Sequence, residues 1–120
     1  MIAMKELIGR GRVNPGRCRL IDLEPTKLDE LEKAFAGQIE LDEIRKRDSL
    51  GFELQESNER YRLHLIRLDN EETRYQIDLY DKEKQSLPII PQNLIARRTH
   101  TGFDRAIRLY KALRQTYLAA

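Results

Sequence analysis

One cysteine, two histidines and no tryptophan leave this chain of 120 residues few of the side chains on which site chemistry usually rests. Cys18 cannot form a disulfide within the chain, and a lone thiol points to a reducing, cytoplasmic setting. His64 and His100 fall on different segments and no cysteine pair exists, so no metal and no cofactor is expected. Arg97-Arg98-Thr99-His100-Thr101-Gly102 looks like the linker of a zinc finger, but no cysteine pair precedes it. There is no nucleophile elbow, no HExxH pair and no dinucleotide fingerprint. No apolar run approaches the ~20 residues of a spanning helix, so no membrane contact is expected. Met1 to Ile8 carries Lys5 and Glu6 where a secretory signal would have its apolar core.

What the chain has in quantity is charge, at 35% of residues against 40% hydrophobic, and a length suited to one domain. The net charge is only +2, yet it is unevenly spread. Residues 1–20 sum to +4, 21–43 to −6, 44–90 to −1 and 91–120 to +5. Arginine outnumbers lysine by 15 to 7, which suits bidentate pairing with carboxylates or phosphates.

The organising stretch is Gly51 to Asp81. Phe52 and Leu54 alternate with Glu53 and Gln55. Tyr61, Leu63 and Leu65 alternate with Arg60, Arg62 and His64, and Tyr75, Ile77 and Leu79 with Arg74, Gln76, Asp78 and Tyr80. Period-two alternation of this kind marks half-buried strands. Ser57-Asn58-Glu59 and Asp69-Asn70-Glu71 are turn-forming, so three sequential strands form an antiparallel meander. Keeping the apolar sets on one face sets the register. A loop at 56–59 places Leu54 opposite Tyr61 and Phe52 opposite Leu63. A loop with an odd number of residues, such as 69–71, then places Leu65 opposite Tyr75, Leu63 opposite Ile77 and Tyr61 opposite Leu79. On the outer face this puts Glu53, Arg62 and Asp78 in a row, Arg60 opposite Tyr80 and His64 opposite Gln76. Arg60, Arg62, His64, Arg74 and Tyr80 there resemble a single-strand stacking platform in composition. The acids flanking Arg62 favour ordinary cross-strand pairing instead.

Elsewhere, Gly9 to Gly16 sets Arg10 and Arg12 among glycines. A phosphate loop would end in Gly-Lys-Ser/Thr and open a helix, whereas Gly16 leads to Arg17 and Cys18. Residues 1–16 therefore read as a flexible basic arm and 17–120 as a single α+β domain. Arg17 to Leu23 reads as a strand, with Cys18 a small core residue. Thr26 to Ala36 reads as a helix, with Thr26 as N-cap, Asp29 and Glu30 in the first turn, Leu28, Leu31 and Phe35 buried, and Gly37 as the stop. Gln38 to Arg47 mixes strand and helix signals and is taken as a short helix. Leu87-Pro88-Ile89-Ile90-Pro91 is an edge strand or covering segment. Thr101 and Asp104 form a cap pair for a last helix, whose apolar face is Phe103, Ala106, Ile107, Tyr110, Leu113 and Tyr117.

The expected fold is α+β: an antiparallel sheet around the three-stranded meander, helices on one face, in the order β-α-(α)-β-β-β-(β)-α. Missing catalytic constellations and separated charge lead to the first functional expectation, a non-catalytic adaptor, inhibitor or accessory subunit that binds a protein partner. The second is nucleic-acid binding through Arg10, Arg12, Arg97, Arg98, Arg105, Arg108 and Lys111. Several RNA-binding folds use a similar element order, which adds to the second only by analogy. The third is a small enzyme using His64 or His100.

Overall fold

The computed structural model describes residues 23–84 and 93–119. Four strands, β1 (Glu53–Ser57), β2 (Tyr61–Asp69), β3 (Thr73–Asp81) and β4 (Leu94–His100), form one antiparallel meander in the order β1-β2-β3-β4. Helix α1 (Pro25–Ala34) and the short α2 (Leu41–Lys46) precede the sheet, and α3 (Phe103–Leu113) follows it, ending in a π-helical turn at Arg114–Leu118. The α+β fold with helices packed on the sheet is the one the sequence pattern indicates.

The core lies where the alternating residues put it. Leu63 and Leu65 of β2, Ile77 and Leu79 of β3, and Ala106, Ile107, Leu109, Tyr110 and Leu113 of α3 are buried together. Each leucine and isoleucine among them contributes roughly 1.5–3 kcal/mol through burial. Phe103 sits between Phe52 and Tyr75, in edge-on contact with both at centroid distances of 5.8 and 5.3 Å. Helix α1 packs against α3 and inserts Leu28 into the same cluster.

Both hairpin registers differ from the sequence expectation by an even number of residues. Leu54 faces Leu65, not Tyr61, and Leu65 faces Ile77, not Tyr75. The even shift leaves every side chain on its expected face while moving its neighbours. The cause at the first hairpin is Asn58. Its backbone N–H donates to Tyr61 O at 2.9 Å, which closes a tight turn at Glu59-Arg60. Its Oδ1 accepts from the N–H groups of Arg60 (2.9 Å) and Tyr61 (2.7 Å). The second hairpin does use an odd-numbered loop, at 70–72 and not 69–71. Consequently Arg62 faces Ser57 and Tyr80 and not Glu53 and Asp78, and His64 faces Gln55 and Asp78 and not Gln76. Arg60 lies in the turn, not opposite Tyr80.

Helix ends also depart from expectation. Pro25, with its preset φ, opens α1 behind Glu24, so Thr26 is not the N-cap and Asp29 and Glu30 lie beyond the first turn. The helix stops at Ala34, with Phe35 extended, before Gly37 is reached. Leu28 is buried as expected, whereas Leu31 and Phe35 are only half-buried. Helix α2 forms where the mixed signal lay, held by a reciprocal capping box in which Glu40 N–H donates to Glu43 Oε2 at 3.1 Å. For α3 the N-cap is Gly102 and no side chain caps it, so Thr101 and Asp104 do not act as a cap pair. The stretch that holds the linker-like Arg97 to Gly102 is largely the fourth strand, Leu94–His100. The basic arm 1–16, residues 17–22 of the strand expected over Arg17 to Leu23, with Cys18, and Leu87–Pro91 lie outside the described residues.

The π-turn brings the end of the chain back to the first hairpin. Asn58 Nδ2 donates to Tyr117 O at 3.1 Å, and Tyr61 and Tyr117 meet edge-on at 5.0 Å. Asn58→Ala should therefore loosen turn and tail together. We expect a loss of about 1–3 kcal/mol in urea unfolding, the range for leaving half-buried partners unsatisfied; Glu59→Ala in the same turn should stay within about 0.5 kcal/mol.

Candidate functional site

The uneven charge of the sequence closes on itself in three dimensions. Acids from the α1–α2 segment meet bases from β4 and α3 along one seam. Arg98 Nη1 donates to Asp29 Oδ1 at 2.8 Å, and its Nη2 to Pro25 O at 2.9 Å. The Arg98 hydrogen bond holds the Asp29 carboxyl below its ordinary range. Arg105 Nε donates to Glu32 Oε2 at 3.1 Å, Lys111 Nζ lies 3.1 Å from Glu43 Oε1, and Arg114 Nη1 lies 3.4 Å from Glu56 Oε2. Tyr110 OH shares Glu56, donating to Oε2 at 3.0 Å. Lys111 and Glu43 are both largely buried, so this pair is shielded from salt in a way a surface pair is not.

The outer sheet face is organised around Asp78, a carboxylate only 3% exposed. Cross-strand register places Gln55, His64, Asp78 and Arg97 in one row. Arg97 grips Asp78 with both arms of its fork, Nε to Oδ1 at 2.7 Å and Nη2 to Oδ2 at 3.0 Å. Gln76 Nε2 adds a third donor at 3.2 Å. Beside this row the Arg62 guanidinium lies 4.2 Å from the Tyr80 ring centroid. His64 Nε2 contacts Glu53 Oε2, and Arg60 binds Asp81 in bidentate fashion at 3.3 and 3.1 Å. Arg74 Nε is buried without a hydrogen-bond partner among the described residues.

Of the basic residues singled out in the sequence, then, Arg97, Arg98, Arg105 and Lys111 are each matched to a carboxylate. Arg108 is half-buried and forms no ion pair among the described residues, and Arg10 and Arg12 lie outside them. The two histidines are not brought together. His64 is on the outer face, whereas His100 is buried on the inner one, its Nε2 3.3 Å from Glu32 Oε1 but without hydrogen-bond alignment. Among the described residues no group of three His, Cys, Asp or Glu is placed to hold a metal ion, and no helix is long and apolar enough to cross a membrane.

Among the described residues, the β1 edge carries no neighbouring strand. Arg67 N–H donates to Phe52 O and Asn58 N–H to Tyr61 O, so the even-numbered residues of β1 pair inward. Ladder alternation then turns the N–H and C=O groups of Glu53, Gln55 and Ser57 away from β2, and no strand lies beyond them among the described residues. At the opposite edge, among the described residues, Leu23 N–H donates to Ile95 O at 2.9 Å. Leading into β1 is a turn in which Phe52 N–H bonds Ser49 O at 3.1 Å and Gly51 takes φ +73°. That conformation, which a side chain at 51 would strain, turns Leu50 outward until it is 94% exposed. Leu41, at the start of α2, is 61% exposed. The sequence carried a signal for Leu50, a leucine directly before a turn glycine; the open edge follows only from the strand order.

Comparison with protein-family models, with curated proteins and with solved structures finds no match for this chain.

Burial holds the His100 imidazole below its ordinary value of 6.5, although Glu32 pulls the other way. The unfolded chain thus takes up the proton first as pH falls, and stability should drop from about pH 6.5 down to the lower folded-state value. His100→Gln should make the urea midpoint less pH-dependent across about pH 7 to 5 than that of the parent protein. Arg97→Ala, which strands the buried Asp78, should cost about 1–3 kcal/mol at pH 7, measured by the same unfolding experiment.

Proposed function

We propose that this domain is a non-catalytic interaction module that takes an extended segment of a protein partner onto the β1 edge. The observation that carries the reading is the row of outward backbone groups at Glu53, Gln55 and Ser57, next to the exposed Leu50. A partner strand would satisfy those donors and acceptors and gain an apolar contact at its end. Edge strands left open on a monomer are a liability, and β1 is short and flanked by acids, which limits indiscriminate pairing. The separated charge of the sequence gives this reading little support, because the acids and bases neutralise each other within the molecule. That same neutralisation weakens the nucleic-acid reading, since four of its arginines and lysines already hold carboxylates.

Gln55→Pro is the direct test. Its N–H points outward, so proline removes one donor for a partner while sparing the β1–β2 ladder. From nuclease-treated native lysate, the parent protein should retain a partner that Gln55→Pro and Leu50→Asp retain about tenfold less, the effect of roughly 1.4 kcal/mol. Circular dichroism should show both variants folded. Equal retention by Gln55→Pro, or retention abolished by nuclease, refutes the proposal.

A further inference from the structure

At the N-terminal end of α3 lies a cleft of about 360 Å³, beside the Phe103–Tyr75 ring contact. Its walls include Arg47 after α2, Arg67 of β2, Tyr75 of β3, and Thr101 and Gly102 at the helix start. Because the N-cap is a glycine and no side chain caps the helix, the first-turn N–H groups of Phe103, Asp104 and Arg105 lack the partner that caps usually supply. The space where a side chain on Gly102 would sit is open, with no atom within 4 Å.

A second observation is independent of the helix. Tyr75 is 5% exposed, and its ring is fixed against Phe103, yet its hydroxyl has no hydrogen-bond partner among the described residues. The ring is enclosed while the hydroxyl itself keeps contact with solvent at the cleft, where it can donate to a ligand. Burial pushes its pKa up, so it stays protonated and remains a donor. The arginines are positioned rather than loose. Arg67 Nε donates to Asp69 Oδ1 at 2.8 Å and Nη1 to the Arg47 carbonyl, which leaves Nη2 for another acceptor. Thr73 Oγ1 donates to the same Asp69 oxygen at 3.0 Å. Arg47 is half-exposed, and the one ion pair of its side chain among the described residues is with the rim residue Asp48, at 3.7 Å. Every one of these unused groups is a donor, and Asp48 and Asp69 keep the local charge near balance. A ligand here would be held by directed hydrogen bonds and not by a broad positive field.

We infer that this cleft binds an oxyanion of the phosphate class, free or as a monoester, between the α3 N-terminus, Tyr75 and the two arginines. Helix N-termini bearing unsatisfied amides suit such groups, and arginine forks match their oxygens.

The test titrates the full chain with inorganic phosphate, and separately with glycerol 2-phosphate, against sodium chloride at matched ionic strength. Amide resonances in two-dimensional NMR are followed. The amides of Phe103, Asp104 and Arg105 should shift and saturate with phosphate or the monoester but not with chloride. Tyr75→Phe, which keeps the ring and loses the hydroxyl, should weaken the affinity about threefold to tenfold, as should Arg47→Gln. Arg108→Gln, outside the cleft, should leave it unchanged. Saturation by phosphate alone identifies a free ion, and saturation by the monoester alone identifies a phosphorylated ligand. No saturating shift at these amides, or an affinity untouched by Tyr75→Phe and Arg47→Gln, overturns the inference.

Discussion

The pairing of the acidic N-terminal helices with the basic C-terminal strand and helix is the constraint on which the arrangement depends. Apolar burial alone would place α1 somewhere over α3, since Leu28 needs only a greasy neighbour. Arg98 on Asp29 and Arg105 on Glu32 add direction, fixing where α1 lies along β4 and α3. Lys111 and Glu43 do the same for α2. Exposed pairs of this kind add little stability each, but a buried ion left without its partner is costly, so misdocked arrangements are penalised more than the native one is rewarded.

Parity was legible in the sequence and register was not. Alternation assigns Leu63, Leu65, Ile77 and Leu79 to one face whatever their exact partners, because a shift by two or four residues leaves the face unchanged. The partners depend on the turn, and the turn depends on Asn58, whose side chain bonds both the loop amides and the distant carbonyl of Tyr117. A tertiary contact 59 residues away in sequence has no local signature. The fourth strand was obscured for a related reason. Leu94, Ile95 and Ala96 are all buried around a register shift at Leu79/Tyr80, which breaks the period-two pattern, and the arginines that follow look like surface until their acids are in place.

The functional surfaces were less legible than the fold. Composition exposes charge but not its neutralisation, so Arg97, Arg98, Arg105 and Lys111 stood out as free ligands when each has a carboxylate waiting on another element. The β1 edge is a property of topology and could not be read before the strand order was known. The cleft at α3 joins Arg47, Arg67 and Tyr75 from separate segments, and at its helix start the sequence pointed to a Thr101–Asp104 cap pair that does not form.

Helix α3 covers the sheet, yet it follows all four strands in the chain. On the ribosome, the oily side of the hairpins emerges before the element that shields it. Closure waits until Tyr110 and Leu113 have cleared the exit tunnel, and Asn58 finds its tail carbonyls later still. Nascent chains of this domain therefore pass through an interval in which a half-built sheet is the species a chaperone would meet.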